Sequence, residues 1–256
     1  MDLNYRVQGA GKPLIVLHGF LGSLDNWRTM SGALAQTRRV YSLDLRNHGR
    51  SPHSPAMSYP LMAEDVHEFI SRLGLAGACV LGHSMGGKVA MQLATQFPDD
   101  AASLVVVDIA PRGYPPTHRP MLLAMRALDL AACASFGAAG DALAPAVPDP
   151  AVRQFLLKNL SRDPEGRLRW RIGLDEIIEN YDALTRPIDF SEPFSGPARF
   201  IRGGRSHFVE ETDLPSIQRL FPRAEIVTVG DAGHWVHIEA PAEFLAAVSG
   251  FLSKNE

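Results

Sequence analysis

The stretch Ala78-Cys79-Val80-Leu81-Gly82-His83-Ser84-Met85-Gly86-Gly87 constrains this chain more than any other. An apolar run of strand length ends at Gly82. A helical pattern begins straight after Ser84, with Val89, Ala90, Leu93 and Ala94 on one face and Pro98 closing it. Between the two lies G-x-S-x-G, the pattern of a nucleophile elbow. A turn that sharp holds the serine in a strained backbone conformation and lifts its hydroxyl above the sheet edge. Gly82 and Gly86 are needed because a Cβ at either position would clash across the turn. The helix that starts there aims backbone N–H groups, and its positive dipole end, at whatever Ser84 attacks. The bland alternative is a Gly-rich strand-to-helix turn without chemistry. A bare G-x-S-x-G is frequent by chance, whereas one seated between a strand and a helix is much rarer.

The rest of the chain supplies a frame for such an elbow. Leu3 to Val7 alternates like an edge strand. Leu14-Ile15-Val16-Leu17, Val40-Tyr41-Ser42-Leu43 and Ser103-Leu104-Val105-Val106-Val107 are short apolar runs separated by helical patterns. This alternation predicts an α/β fold with a mostly parallel sheet covered on both faces. At Pro111 the composition changes. Residues 112 to 190 are rich in Pro and Ala, carry several short helical patterns, and lack the strand–helix alternation. The segment reads as a helical cap inserted between sheet strands, with residues 1–111 and 191–256 forming the core. Three helices are expected in it, around Met121 to Leu128, from Asp149-Pro150 onward, and from Leu174 to Tyr181. Strands resume at Ala198 to Gly203 and Ala224 to Val229, and an amphipathic helix carrying Phe244, Val248, Phe251 and Leu252 closes the chain.

At 256 residues the chain is long enough for a full core, and a net charge of −3 gives no reason to expect nucleic acid as a partner. No apolar stretch reaches the length of a membrane span. The N-terminus lacks the basic region and apolar segment of a leader. Cys79 falls in a buried strand and Cys133 in an Ala-rich stretch expected to be helical, so no disulfide framework is expected. Together these point to a reduced, cytoplasmic type of protein.

A serine hydroxyl needs a base beside it, and that base needs an acid to orient it. Nine histidines compete for the role. His18 and His48 sit in Gly-containing loops where a ring can brace backbone, and His83 precedes the serine and is expected to point away from it. His53, His67, His118 and His207 fall in polar loops or on helix faces. His234 follows a late strand on a Gly-containing loop, at the edge where a parallel sheet presents its ligands. It is preferred over His237, which lies three residues into the next element. Asp108 closes a buried strand one along from that of Ser84, so its carboxylate is expected at the same edge, with the capping of a helical turn as its alternative role. Backbone N–H groups of Met85 and Phe20 are the expected oxyanion donors.

The segments Gly82 to Gly87, His18-Gly19-Phe20-Leu21-Gly22-Ser23, Asp44-Leu45-Arg46-Asn47-His48-Gly49 and Gly233-His234-Trp235 resemble the α/β-hydrolase superfamily. Within it, Asp108-Ile109-Ala110-Pro111, Gly203 to Ser206 and Gly233 to His237 resemble the small esterases of the YbfF type and their animal relatives, the α/β-hydrolase-domain-11 proteins. The resemblance covers nearly the whole chain and is weakest in the cap. It implies hydrolysis of carboxylic esters or acyl thioesters through an acyl-enzyme, with no cofactor and no metal. Most of the superfamily places the acid after the strand that here runs Arg199 to Gly203. In this chain Ser206 occupies that place; the resembled esterases carry the same Asp-Ile-Ala-Pro and likewise lack the later aspartate. Glu210, Glu211 and Asp213, just beyond, read as a solvated helix start.

Two other functions fit the same residues. A lyase that eliminates pyruvate in menaquinone synthesis, which this chain resembles at His18 to Ser23, uses the serine–histidine pair as a base. A receptor would keep the pocket for binding alone. Trp235 is expected to help wall the site. Met121, Met125, Phe136, Phe155 and Trp170 are candidates for an acyl pocket, with ordinary core as the alternative. Arg162, Arg167, Arg169 and Arg171 are candidates for coenzyme A phosphates, with solvated surface as the alternative.

Overall fold

A computed structural model describes residues 1–190 and 192–255. The expected return from cap to core at residue 191 therefore falls outside the described residues. The first half alternates as its sequence suggests: β1 (Tyr5–Gln8), β2 (Pro13–Leu17), α1 (Arg28–Leu34), β3 (Arg39–Leu43), α2 (Tyr59–Leu73), β4 (Ala78–His83), α3 (Met85–Gln96) and β5 (Ala101–Val107). There follow α4 (Arg119–Ala127), α5 (Phe136–Leu143), α6 (Pro150–Leu157), β6 (Leu160–Arg162), β7 (Leu168–Trp170), α7 (Leu174–Glu179) and α8 (Tyr181–Thr185). The chain ends with β8 (Ala198–Gly203), α9 (Leu214–Leu220), β9 (Ala224–Val229), α10 (Val236–Glu239) and α11 (Pro241–Lys254).

Seven strands form one sheet in the order β1-β3-β2-β4-β5-β8-β9, with β1 antiparallel to β3 and every other pair parallel. Every residue of β4 is buried. A strand covered on both faces needs the continuous apolar run seen there, rather than alternation. The sheet register does the positioning. His83 lies opposite Val107 across the β4–β5 ladder, and the next residues keep step: Ser84 N–H donates to Val107 O (2.9 Å) and Asp108 N–H to Ile201 O (2.8 Å). Ser84 and Asp108 thus leave the sheet at the same level on neighbouring strands.

The loop after β3 is a scaffold. Asp44, buried, accepts from Leu24 N–H (2.7 Å), Asn4 Nδ2 (2.7 Å) and Arg50 N–H (2.9 Å). Gly49 sits at φ 56°, and a Cβ there would fall 2.1 Å from the Asp44 carboxyl carbon. Arg46 is held by the Asp65 carboxylate through Nε (2.6 Å) and Nη2 (2.9 Å), with Ala56 O and Leu61 O taking its other donors, so this buried charge is fully matched.

Between β5 and β8 the structure departs from the sequence reading in three places. β6 and β7 pair as an antiparallel hairpin that the sequence did not suggest. Strands of three residues are too short to reveal alternation, and the signal lies in the turn, where Gly166 adopts φ 83° and Asp163 binds Arg167 through backbone and side chain. The third expected helix is two, α7 and α8, meeting at Asn180, whose side chain donates to Pro55 O and accepts from Met57 N–H. Cys133 lies in irregular chain ahead of α5, a helix beyond the three expected, and not in a helix itself; it and Cys79 are free thiols. Among the described residues no helix is long and apolar enough to cross a membrane.

The 112–190 segment is tied to the core by buried side chains. Asn159 Nδ2 donates to Leu21 O (2.8 Å), Tyr59 Oη to Leu184 O (2.7 Å), and Lys88 Nζ to Arg186 O (2.8 Å).

Candidate active site

Ser84 sits at φ 52°, ψ −118°, the strained backbone that an elbow imposes on a residue with a Cβ. The glycines around it are demanded by contact. A Cβ on Gly82 would lie 2.1 Å from Gly86 O, and one on Gly86 would lie 2.5 Å from both His18 O and Leu17 O. That second approach brings the end of β2, and with it the loop carrying Phe20, against the start of α3. The loop is fixed by two histidines. His18 accepts from Leu45 N–H at Nε2 (3.0 Å) and donates from Nδ1 to Gly19 O (2.8 Å). His48 accepts from Leu21 N–H at Nε2 (3.2 Å) and donates from Nδ1 to Arg46 O (2.9 Å). Both roles require the neutral ring, and burial lowers both pKa values, that of His48 to about 3.

On the far side of Ser84, the ring of His234 meets Asp108. Nδ1–H donates to Asp108 Oδ2 at 2.8 Å. The carboxylate is completely buried and the imidazole about a quarter exposed. Asp108 Oδ1 accepts from Gly203 N–H (2.9 Å), and Oδ2 also accepts from Ser206 Oγ–H. Its partners therefore come from β8 and the loops after β8 and β9. Asp108 is itself strained, at φ 51°. Ser206, at the place where most of the superfamily carries its acid, donates its hydroxyl to the Asp108 carboxylate. Asp213 is not solvated as expected. It is buried and paired with Arg112 at 2.9 Å.

Two side chains that hold His234 were not singled out from the sequence as parts of the site. Phe208 stacks on its ring with centroids 3.9 Å apart. His83, buried beside it, donates from Nε2 to His234 O (2.9 Å), and its pKa is pushed well below the ordinary histidine value by burial and by the neighbouring His234 and His237. His237 stacks flat on Trp27 (4.4 Å, 7°) with its Nδ1 unbonded, and burial lowers its pKa to about 3. These contacts join loops far apart in sequence, so no local pattern announces them.

Ser84 borders two cavities. The larger, about 720 Å³, is also bordered by Phe20, His83, His234, Trp235, Met121 and Phe155, and Trp235 faces Phe155 across 5.8 Å. The smaller, about 280 Å³, runs from Ser84 and Met85 past Ile109 to Lys88, Tyr59 and Tyr114. His118, bonded to Tyr181 Oη at 3.1 Å, borders both.

A family model described as alpha/beta hydrolase fold matches residues 12–134. The chain is 41% identical to the sn-1-specific diacylglycerol lipase ABHD11 of Mus musculus, over 94% of this chain and 80% of that protein. The chain belongs to the α/β-hydrolase family. It is also 33% identical to esterase YbfF of Escherichia coli, over 99% of this chain and all of that protein. A solved structure of a marine microorganism esterase is 38% identical and superposes with a TM-score of 0.95, covering 98% of this chain and 99% of that one.

Within this α/β-hydrolase frame, some pocket candidates move. Phe136 is 41% exposed, lies outside both cavities, and faces the Arg162 guanidinium. It starts α5, so its side chain projects outward. Met125 is fully buried core, and its carbonyl accepts the Trp170 indole N–H (3.0 Å). Met121 and Trp235 do border the larger cavity. The arginines proposed for phosphates are largely engaged: Arg167 with Asp163 and Glu165, Arg162 with Gly166 O and Ala134 O, and Arg171 with Lys158 O and Leu160 O. Among the described residues no cluster of three or more His, Cys, Asp and Glu side chains is gathered for a metal ion.

The neutral buried rings predict acid lability. His48 and His237 have folded pKa values near 3, against an ordinary 6.5, so only the unfolded chain takes up protons as pH falls below about 6.5. The stability they contribute is complete above pH 6.5 and is lost as pH falls towards 3, by about 2–3 kcal/mol per ring at pH 4.5. The thermal midpoint should therefore drop between pH 7 and 4.5, and drop less in His48→Gln. Equal slopes for the two proteins would assign the lability elsewhere.

Proposed function

We propose that this protein hydrolyses carboxylic esters through an acyl-enzyme on Ser84, with His234 as general base and Asp108 as the acid that orients it. The observation that carries the reading is the 2.8 Å bond from His234 Nδ1 to the buried Asp108 carboxylate, on a loop that borders the same cavity as the strained Ser84. A carboxylate at Nδ1 leaves Nε2 as the basic nitrogen, and Asp108 stabilises the imidazolium that forms when Ser84 gives up its proton. The oxygen of the tetrahedral intermediate is received by the backbone N–H groups of Phe20 and Met85. Both belong to backbone held rigid by close glycine contacts, so little reorganisation accompanies charge development. The imidazolium then protonates the leaving alcohol, and a water, deprotonated by the same nitrogen, releases the acid. A thioester meets the same machinery, with a thiol as leaving group. Trp235, Met121 and Phe155 wall the larger cavity as an apolar binding surface.

The related lipases and esterases support ester hydrolysis over pyruvate elimination or binding alone, and the test is covalent. Rapid mixing with p-nitrophenyl acetate, followed by acid quench and mass spectrometry, should find one acetyl group on the Ser84 peptide together with a burst of nitrophenol. Turnover without any acylated Ser84 would replace the acyl-enzyme with direct base catalysis.

A further inference from the structure

One charged group beside Ser84 has no part in the chemistry above. Lys88 follows the serine by four residues on α3, about one helical turn or 6 Å along the axis. It is 99% buried, yet it borders the smaller cavity. Its ammonium donates once, to Arg186 O at 2.8 Å, and lies over the rings of Tyr59 (5.1 Å) and Tyr114 (4.9 Å). Among the described residues it forms no ion pair with a carboxylate. The neighbouring Arg112 is already neutralised by Asp213, and its other donors go to His207 O and Gly113 O. Three other polar side chains around the cavity have partners within the protein: Tyr59 Oη in Leu184 O, Tyr114 Oη in Phe208 O, and His118 in Tyr181. The cavity therefore holds one cation without a counter-charge in a largely apolar wall. Buried charges are ordinarily paired, and burial here pulls the Lys88 pKa down to about 7.

We propose that the smaller cavity is an acyl subsite for a second carboxylate, with Lys88 as its counter-ion, so that the preferred substrates are half-esters or half-thioesters of short dicarboxylic acids. The proposal rests on the ester-hydrolase reading and deepens it. Ser84 and Lys88 border the same cavity, so an acyl chain carried on Ser84 and entering it runs towards the ammonium. A chain of about four or five carbons spans one helical turn, and a cavity of about 280 Å³ holds it. The alcohol or thiol portion then occupies the larger cavity. The chemistry is unaltered. The ester C–O bond breaks as the Ser84 Oγ–acyl bond forms, the alcohol leaves with the proton taken from Ser84, and water releases the dicarboxylate.

Monoethyl succinate and ethyl 4-methylpentanoate have nearly the same shape and differ in the charged end. An apolar pocket rejects the charged one strongly. The wild-type protein should hydrolyse the half-ester with a kcat/KM at least equal to that of the neutral ester, and Lys88→Met should lower the ratio of the two by roughly 10- to 100-fold. Rejection of the half-ester by 100-fold or more in the wild type would overturn the proposal without recourse to the variant, so poor folding of Lys88→Met cannot shelter it. A ratio unchanged in a folded Lys88→Met would overturn it equally. Succinate binding, measured calorimetrically on the wild type and on Lys88→Met, reads the subsite without turnover. Succinate bound through Lys88 while neither ester is cleaved would leave the subsite standing and overturn the hydrolase reading alone; hydrolysis without any succinate binding would do the reverse.

Discussion

Replacing Ser84 by alanine should reduce ester turnover by about 10⁶-fold, down to the residue of catalysis that the oxyanion donors and binding provide. A fluorophosphonate probe, which labels the wild type once, should leave this variant unlabelled. The loss is chemical rather than structural, because Ser84 is N-terminal to α3 and its side chain makes no cap bond to that helix. The thermal midpoint of Ser84→Ala should therefore stay near that of the wild type. Ser84→Gly separates the two effects further. At φ 52° a glycine is free of the strain that serine and alanine both bear, so that variant should be equally inactive yet more stable. Labelling that persists in Ser84→Ala would place the nucleophile elsewhere.

The second large effect is expected at Asp108. Asparagine is the informative substitution, since it has nearly the same shape and tolerates the left-handed backbone at φ 51°. It can still accept from Gly203 N–H, but the amide turned towards His234 favours the tautomer that carries its proton on Nε2, where Ser84 needs a base. kcat should fall by about 10³- to 10⁴-fold, with the fold retained and fluorophosphonate labelling greatly slowed. Asp213→Asn and Glu210→Gln serve as comparisons. Asp213 binds Arg112, so its replacement should cost stability more than catalysis. Near-normal turnover in Asp108→Asn, with collapse in either comparison, would return the acid to the later loop.

What the sequence made legible follows from where its signals are local. Ser84 is legible because strand, glycines and helix adjoin one another in the chain. Asp108 is legible because a carboxylate ends an apolar strand whose register against β4 follows from parallel pairing. His234 is legible for the same reason at the end of β9. Phe208 on the ring of His234, His83 beneath its carbonyl and His118 between the cavities were passed over, because each acts across loops that only the folded chain brings together. Phe136 fails in the opposite way. Its apolar character suggested a pocket, but its position on α5 turns it to solvent. The arginines of the β6–β7 region suggest a phosphate site, whereas Arg162, Arg167 and Arg171 already bond to the hairpin and to carbonyls around it.

The hydrogen bond from Ser206 to Asp108 also bears on how such a site changes over descent. Asp108 Oδ2 accepts from both the Ser206 hydroxyl and His234 Nδ1–H, so a carboxylate at position 206 would lie beside the same pair. A chain carrying acids at both positions would bring two like charges together, and one of them would hold a proton, leaving a single anion to serve the histidine. Under the proposed mechanism such a chain would keep its activity. Under that mechanism the acid could therefore move between the loops after β5 and β8 through two ordinary substitutions without an inactive step between them, the Ser206 hydroxyl standing at the second of the two positions.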